Sequence, residues 1–357
     1  MSDDGQQDDG RLRALQHELQ LNRRRMLVGL ADSWSGVANT LANTYERVEL
    51  LILERLRDLK PDDDPAVLLA RLGEVQGDFE ILARALNEGR DGFLQSGLEG
   101  GARVGVANLR AGGMRVAWGV VEREQILAGI DLVDDVAWRA MIGRYAPYHT
   151  QRVRDVVLDA ISRGRNPRET AKDLAQWLAE SKSALTDAER IARTTQLYAA
   201  RRGTNAVYVG NGVNRWMWAA NIGNPRTCLA CISLHGTIHP SSEVLNDHWL
   251  GRCAPLPMTP LWSDLGLDGA DDNPVSGVTW FNQQTEDEQR RVMGAELYDF
   301  WRAGLFEFGE QAVVGVDVHP VFGEMRHRRP NYEIAGLDKM TARDVLRQVR
   351  RGTLFGN

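Results

Sequence analysis

Lysine, cysteine and long apolar runs are scarce in this 357-residue chain, and each shortage narrows what it can be. Only Lys60, Lys172, Lys182 and Lys339 interrupt an otherwise all-arginine set of basic residues. That bias reads first as the mark of a GC-rich source genome, not of nucleic-acid recognition. Three cysteines, all within 26 positions of one another, are too few and too clustered for a disulfide framework. The apolar stretch Val48 to Leu53 is broken by Glu49 and closed by Glu54, so no uncharged run is long enough to span a bilayer. Signatures of common catalysts are missing too: no Gly-x-Ser-x-Gly, no phosphate-binding glycine loop, no His-Glu-x-x-His. Met1-Ser2-Asp3-Asp4, followed by Asp8 and Asp9, reads as neither a secretory signal nor a transit peptide, and a soluble cytoplasmic product is expected. With a net charge of −6, the chain is not built to wrap nucleic acid uniformly. Any such contact needs a local basic patch.

What is present is mostly helical pattern. A hydrophobic content of 43% supports real cores, and the length suggests two or three domains. Residues 1–10 lack apolar anchors and read as a disordered acidic tail. Met26, Leu30, Trp34, Val37, Leu41, Tyr45, Val48, Ile52 and Leu56 recur at spacings of three and four, which predicts one buried seam on a helix. If continuous from Leu12 to Leu59, that helix would be about 72 Å long. It reads as either a core helix of a bundle or an assembly arm. Pro61-Asp62-Asp63-Asp64-Pro65 ends it and restarts helix at 66–96. Gly97, Gly100, Gly101 and Gly105 predict a loosened stretch, and Gly112-Gly113 a break, before helix resumes over Val116 to Tyr145. Asn166-Pro167 supplies an N-cap with proline at the first helical position, and Thr186 with Glu189 reads as a capping box opening the next helix. Ala206 to Val209 and Val213 to Trp218 then look like paired strands about a Gly210-Asn211-Gly212 turn. A loop-rich, small-sheet region is expected from 221 to 278, with helices around Glu286 to Phe300 and from Thr341.

All three cysteines and three of the seven histidines fall between 228 and 253. Cys228-Leu229-Ala230-Cys231 presents two thiolates to one tetrahedral ion, and a distant His and Cys can complete the shell. The expected zinc ligands are Cys228, Cys231, His248 and Cys253, with His235 or His239 as substitutes for His248. Other readings compete: small buried hydrophobes, a redox pair, or a packing motif without metal. A loop-rich segment gains most from such a clip, since structural zinc contributes roughly 10–16 kcal/mol of apparent binding energy.

The same residues carry a resemblance. Ala192-Arg193-Thr194, then Trp216 and Trp218, then Asn224-Pro225-Arg226-Thr227-Cys228-Leu229-Ala230-Cys231, Leu234 with Gly236, and His248-Trp249-Leu250-Gly251-Arg252-Cys253 before Pro255 and Pro257 are similar to the Mu F-like phage minor head (head morphogenesis) proteins. Thr279-Trp280-Phe281-Asn282 and Gly294 to Trp301 look like that family's C-terminal region. The resemblance covers about residues 145–310. Asn224 stands where the pattern has Asp, and Gly251 where it has the first Cys of the closing triplet. Residues 1–115 show no clear match.

From these readings the expected fold is α+β and predominantly helical. A long helical N-terminal half precedes a helix-plus-small-sheet, loop-rich Cys/His domain. The expected divisions are a tail at 1–10, a helical arm or bundle at 11–115, a head morphogenesis domain at 116–310 and a basic C-terminal segment at 311–357. The resemblance implies a non-enzymatic minor capsid protein of a tailed phage or prophage. It would work at or near the portal in procapsid assembly, and in DNA packaging or delivery. Its partners would be portal, major capsid or scaffold proteins and packaged DNA, with no membrane and no small-molecule substrate. The alternatives are a zinc-dependent nucleic-acid-processing or toxin-like enzyme, and a zinc-stapled DNA-binding module. From Arg326 to Arg351 eight basic residues face three acidic ones, and Arg343, Arg347 and Arg350 would share a helix face for DNA or an acidic portal surface. His319 and His327 are expected in surface or packing roles.

Overall fold

The computed structural model describes residues 34–112, 134–258, 275–339 and 341–351, together with residues 21, 114 and 116. The expected acidic tail, the seam positions Met26 and Leu30, and most of the helical pattern entered at Val116 lie outside the described residues. Within them the chain is mainly helical with two small antiparallel sheets, the α+β class expected. Helices are α1 (34–56), α2 (Pro65–Arg71), α3 (Val75–Ala111), α4 (Asp135–Gly143), α5 (Tyr145–Ser162), α6 (Pro167–Ser181), α7 (Ser183–Gly210), α8 (Leu229–Leu234), α9 (Gly277–Asn282), α10 (Glu286–Met293), α11 (Ala295–Arg302), α12 (Glu310–Val313), α13 (Asn331–Ile334) and α14 (Ala342–Arg351). Strands β1 (Arg215–Ala219), β2 (Ile238–Pro240) and β3 (Ala254–Pro257) form one sheet in the order β2-β1-β3. A hairpin of β4 (Val314–His319) and β5 (Gly323–Arg328) forms the other.

Two compact units emerge, and their boundaries fall inside α3 and α7. Among the described residues, one comprises 34–100 and 134–200, the other 101–112, 201–258, 275–339 and 341–351. The first is a helical core. Leu41, Tyr45, Val48, Ile52 and Leu56 on α1 are buried as the seam predicts. Tyr45 adds direction to that apolar burial by donating its hydroxyl to Leu178 O at 2.9 Å. Arg55 clasps both oxygens of Asp78 at 2.9 Å, and Trp138 Nε1 donates to Asn87 Oδ1 at 3.1 Å. Asp64 caps α2 ahead of Pro65, and Asn166 with Glu169 forms a full capping box at α6.

Four expectations about local structure are overturned. The glycines from 97 to 105 do not loosen the chain, because α3 runs through them unbroken. They permit close approach of α7: a Cβ at Gly97 would meet Gln196 O at 2.3 Å, and one at Gly105 would meet the Val207 Cβ at 2.9 Å. Ala206 to Val209 is helix, not strand. α7 continues to Gly210, where Val213 N–H bonds Tyr208 O at 3.0 Å and Gly212 N–H bonds Val209 O at 3.0 Å. With Gly212 at φ +75° this is a Schellman stop, which uses the same glycines a hairpin turn would. Thr186 does not cap α7 either. The helix begins at Ser183, after Lys182 in the left-handed region, and Thr186 N–H already bonds Lys182 O at 2.9 Å. The expected helix around Glu286 to Phe300 is two helices, divided at Gly294 with φ +80°.

One histidine in the helical unit is set apart by its surroundings. His149 is 1% exposed among the rings of Phe79, Tyr145 and Tyr148, with neither ring nitrogen hydrogen-bonded. Burial lowers its pKa to about 4; Asp187, 3.5 Å away and itself paired to Arg190, opposes the shift, and Arg152 reinforces it. The folded state therefore prefers the neutral ring, and its stability contribution is present above the unfolded value near 6.5 and lost as pH falls toward 4. We expect urea unfolding to show wild-type stability dropping by about 3 kcal/mol more than that of His149→Leu between pH 7 and pH 4. Parallel pH profiles for the two proteins would show that this ring does not titrate against folding.

Candidate metal centre

The second unit brings the cysteines together from three directions. Asn224 begins the approach, its side chain accepting from Arg226 N–H at 2.8 Å and its carbonyl from Thr227 N–H at 3.0 Å. This Asx turn needs only an oxygen at position 224, so Asn serves as well as Asp. Cys228 then sits at the N-cap of α8, and Cys231 follows one turn on, facing the same side. β1 lies at the centre of its sheet with Trp216 and Trp218 fully buried; its pairing of Ala219 with Ala254 delivers Cys253 to the start of β3. Between them runs the loop 241–253. His248 turns back through Leu250 at φ +57° and a Gly251 N–H bond to His248 O at 2.8 Å.

The sulfurs of Cys228 and Cys231 are 3.2 Å apart, and His248 Nε2 is 3.3 Å from the first and 3.2 Å from the second. Around zinc, bonds of about 2.3 Å to sulfur and 2.0 Å to nitrogen at tetrahedral angles imply S–S and S–N edges of roughly 3.8 and 3.5 Å. The two sulfur–nitrogen edges are within about 0.3 Å of that arrangement, and the sulfur–sulfur edge is about 0.6 Å short of it. Contact between His248 Nδ1 and Trp249 O at 2.8 Å places the ring proton there and leaves Nε2 for the cluster. Cys253 joins through a second triplet with Cys231 and Asp247. The indole N–H of Trp218 is buried without a geometric hydrogen bond, yet it lies close enough to Cys253 to draw its thiol down against burial. An anionic sulfur would satisfy that donor. This donor set fits a zinc-like ion.

Without metal the charges arrange themselves unevenly. The Cys231 thiol, against the opposing effect of burial, and then His248 hold Cys228 at about 5. Burial works against charging His248, but Cys228 and Asp247 outweigh it and raise the ring to about 9. The bond to Cys228, then Cys253 and burial, push Cys231 up, and burial raises Cys253. One thiolate, two thiols and an imidazolium result, and a bound ion would displace the remaining protons.

His235 and His239 are not substitutes for His248. His235 Nδ1 accepts Ala220 N–H at 3.1 Å, while His239 stacks on Trp216 at 4.5 Å and contacts Thr237 at 2.9 Å. His319 packs against Phe322 and Trp249, and His327 pairs with Asp317 at 3.4 Å. The basic C-terminal segment is less free than its composition suggests. Arg326 lies over the Trp218 ring, and Arg328, its guanidinium lowered by burial, is near enough to Cys228 to feel its charge. Of the expected arginine face on α14, Arg350 pairs with Asp299 at 2.8 Å and Arg347 with Asp344.

Two residues not singled out in the sequence organise the site. Asp247 has a side chain 1% exposed, and its carboxylate accepts the N–H of His248 at 2.9 Å and of Cys253 at 3.1 Å. Arg201 on α7 contacts it at 3.3 Å and also donates to Gly251 O at 2.7 Å and Cys253 O at 3.3 Å. An aspartate beside a candidate ligand histidine was the available signal; Arg201, 46 residues earlier, had none.

With this geometry in place, the comparison with known families is decisive for one stretch. Residues 151–255 match the family model for Phage Mu protein F like protein. The match spans α5 from its second turn, α6, α7 and the whole Cys/His cluster, and so agrees with the resemblance carried by those motifs. No curated protein and no solved structure matches the chain. Among the described residues no helix is long and apolar enough to cross a membrane.

Removing one charge of a buried pair costs about 3–5 kcal/mol, whereas replacing both by apolar groups is close to neutral. Arg201→Met is expected to destabilise the Mu F-like region by that amount, and Arg201→Met with Asp247→Leu to recover part of it. A thermal-denaturation cycle giving additive losses would dismiss the pair as an energetic unit.

Proposed function

We propose that the chain is a minor head protein of a tailed phage or prophage, incorporated at or near the portal during procapsid assembly. It would act through protein–protein contacts with portal, major capsid or scaffold proteins, in the virion and, during assembly, in the host cytoplasm. The match over residues 151–255 carries this reading. The morphogenesis domain is assigned to 116–310, with 1–115 as a helical arm or bundle and 311–357 as a basic segment. A role in DNA packaging or delivery would fall first to Arg343, since Arg347 pairs with Asp344 and Arg350 with Asp299.

In this reading the Cys/His cluster is a structural clip. Cys228, Cys231 and His248 hold a zinc ion, and a fourth donor from the 247–253 loop, Cys253 or Asp247, closes the shell. The partly exposed Cys228 beside His248 is the one observation favouring a zinc-dependent enzyme. Crowding of that thiolate by Cys231 at 3.2 Å favours ligation instead.

Quantitative mass spectrometry of purified particles tests the assembly role. The chain should appear at a few copies per portal ring in DNA-filled heads and in procapsids alike; its absence from both would reject a head protein. For the clip, Cys228→Ser should accelerate amide exchange across 215–257 while leaving 34–100 as protected as in wild type. Unchanged exchange in both regions would show that the cluster staples nothing.

A further inference from the structure

Asp247 is more than a turn-former. Its Oδ1 lies 3.6 Å from Cys231 Sγ and 3.5 Å from His248 Nε2. A carboxylate oxygen bound to zinc at about 2.1 Å would sit roughly 3.6 Å from a sulfur ligand and 3.4 Å from a nitrogen ligand. The observed separations match both. The other oxygen, Oδ2, is occupied by Arg201 and by Cys253 N–H, so the carboxylate is anchored from behind with Oδ1 left at the cluster. Oδ1 accepts one backbone N–H, from His248, and an anionic carboxylate oxygen has capacity for another partner.

The backbone is shaped around this group. A Cβ at Gly251 would stand 2.1 Å from Asp247 Oδ2 and 2.2 Å from its Cγ, so residue 251 cannot carry a side chain while the carboxylate is in place. An aspartate whose side chain is 1% exposed also needs compensation on more than one side. Arg201 supplies it at Oδ2; a divalent ion would supply it at Oδ1. Cys253 and Asp247 both meet the set through their shared triplet with Cys231, and Asp247 Oδ1 also lies 3.5 Å from His248 Nε2.

We infer that Asp247 Oδ1, rather than Cys253, is the fourth protein ligand of the ion held by Cys228, Cys231 and His248. This rests on the metal-clip reading above. Charge supports it: two thiolates and one carboxylate around a divalent ion leave one negative charge, which Arg201 balances. A third thiolate with Asp247 still ionised behind it would leave the buried site one charge more negative.

X-ray absorption at the zinc edge, on the full chain loaded with zinc, tests this directly. We expect two sulfur and two nitrogen or oxygen neighbours in wild type, and the same shell in Cys253→Ser. Outer-shell partners of a metal site usually change affinity by about 10–100-fold. Asp247→Asn should therefore weaken zinc binding by more than about a hundredfold in competition with a chelator. Three sulfurs in wild type, falling to two in Cys253→Ser, would overturn the inference and leave the clip standing. Failure of the wild-type chain to take up zinc at all would remove both. The wild-type spectrum decides even if a variant does not fold.

Discussion

Arg201 and Asp247 meet where neither can be solvated, with side chains 5% and 1% exposed. Burying such ions costs several kcal/mol each, and the attraction between them offsets this only when the remaining donors and acceptors are also satisfied. Here they are satisfied by the loop itself: two backbone N–H groups reach the carboxylate, and two backbone carbonyls receive the guanidinium. One ion pair therefore fixes four points of a segment with almost no regular structure. His248 and Cys253 take their positions from it, and Gly251 is forced by it.

The pair needs a rigid mount, and α7 provides one. Arg201 lies in the same helix as Tyr208, whose hydroxyl donates to Pro255 O at 3.0 Å and receives Asn108 Nδ2 from α3 at 2.9 Å. Thr204, between them, donates to Gly101 O at 2.9 Å. These bonds form only because α3 and α7 approach closely, and the absent Cβ at Gly105 allows that approach. Gly105 of α3 thus acts on the cysteine site from a distance. It helps set where this part of α7 lies, α7 sets where Arg201 lies, and Arg201 sets the loop.

Much of this was legible where chemistry is local. The seam of α1, the caps at Asp64 and Asn166, strand β1 and the convergence of Cys228, Cys231 and His248 all follow from short-range spacing. The failures share a cause. Glycine serves a turn, a helix stop and a helix–helix contact equally well, and only the partner decides which. Along the sequence Gly97 and Gly105 suggest loosening because their contact on α7 is distant, and Gly210 to Gly212 suggest a hairpin because the bond from Val213 N–H to Tyr208 O exists only in the folded chain. Propensity favours strand for the run Ala206 to Val209, yet Val207 and Tyr208 are fully buried on a helix, where packing outweighs a few tenths of a kcal/mol. Arg201 and Asp247 were invisible for a related reason: a buried ion pair separated by 46 residues leaves no periodic trace.

The same limit applies to charge. Eight basic residues between 326 and 351 look like a patch for an acidic partner when counted along the chain. In space the set divides. Arg326 covers Trp218, Arg328 lies within the field of Cys228, and Arg350 locks α14 to α11 through Asp299, which Arg290 also approaches. These three arginines hold the C-terminal elements to the body of their unit. A chain of net charge −6 that uses its basic residues this way is poorly suited to gripping DNA along its length.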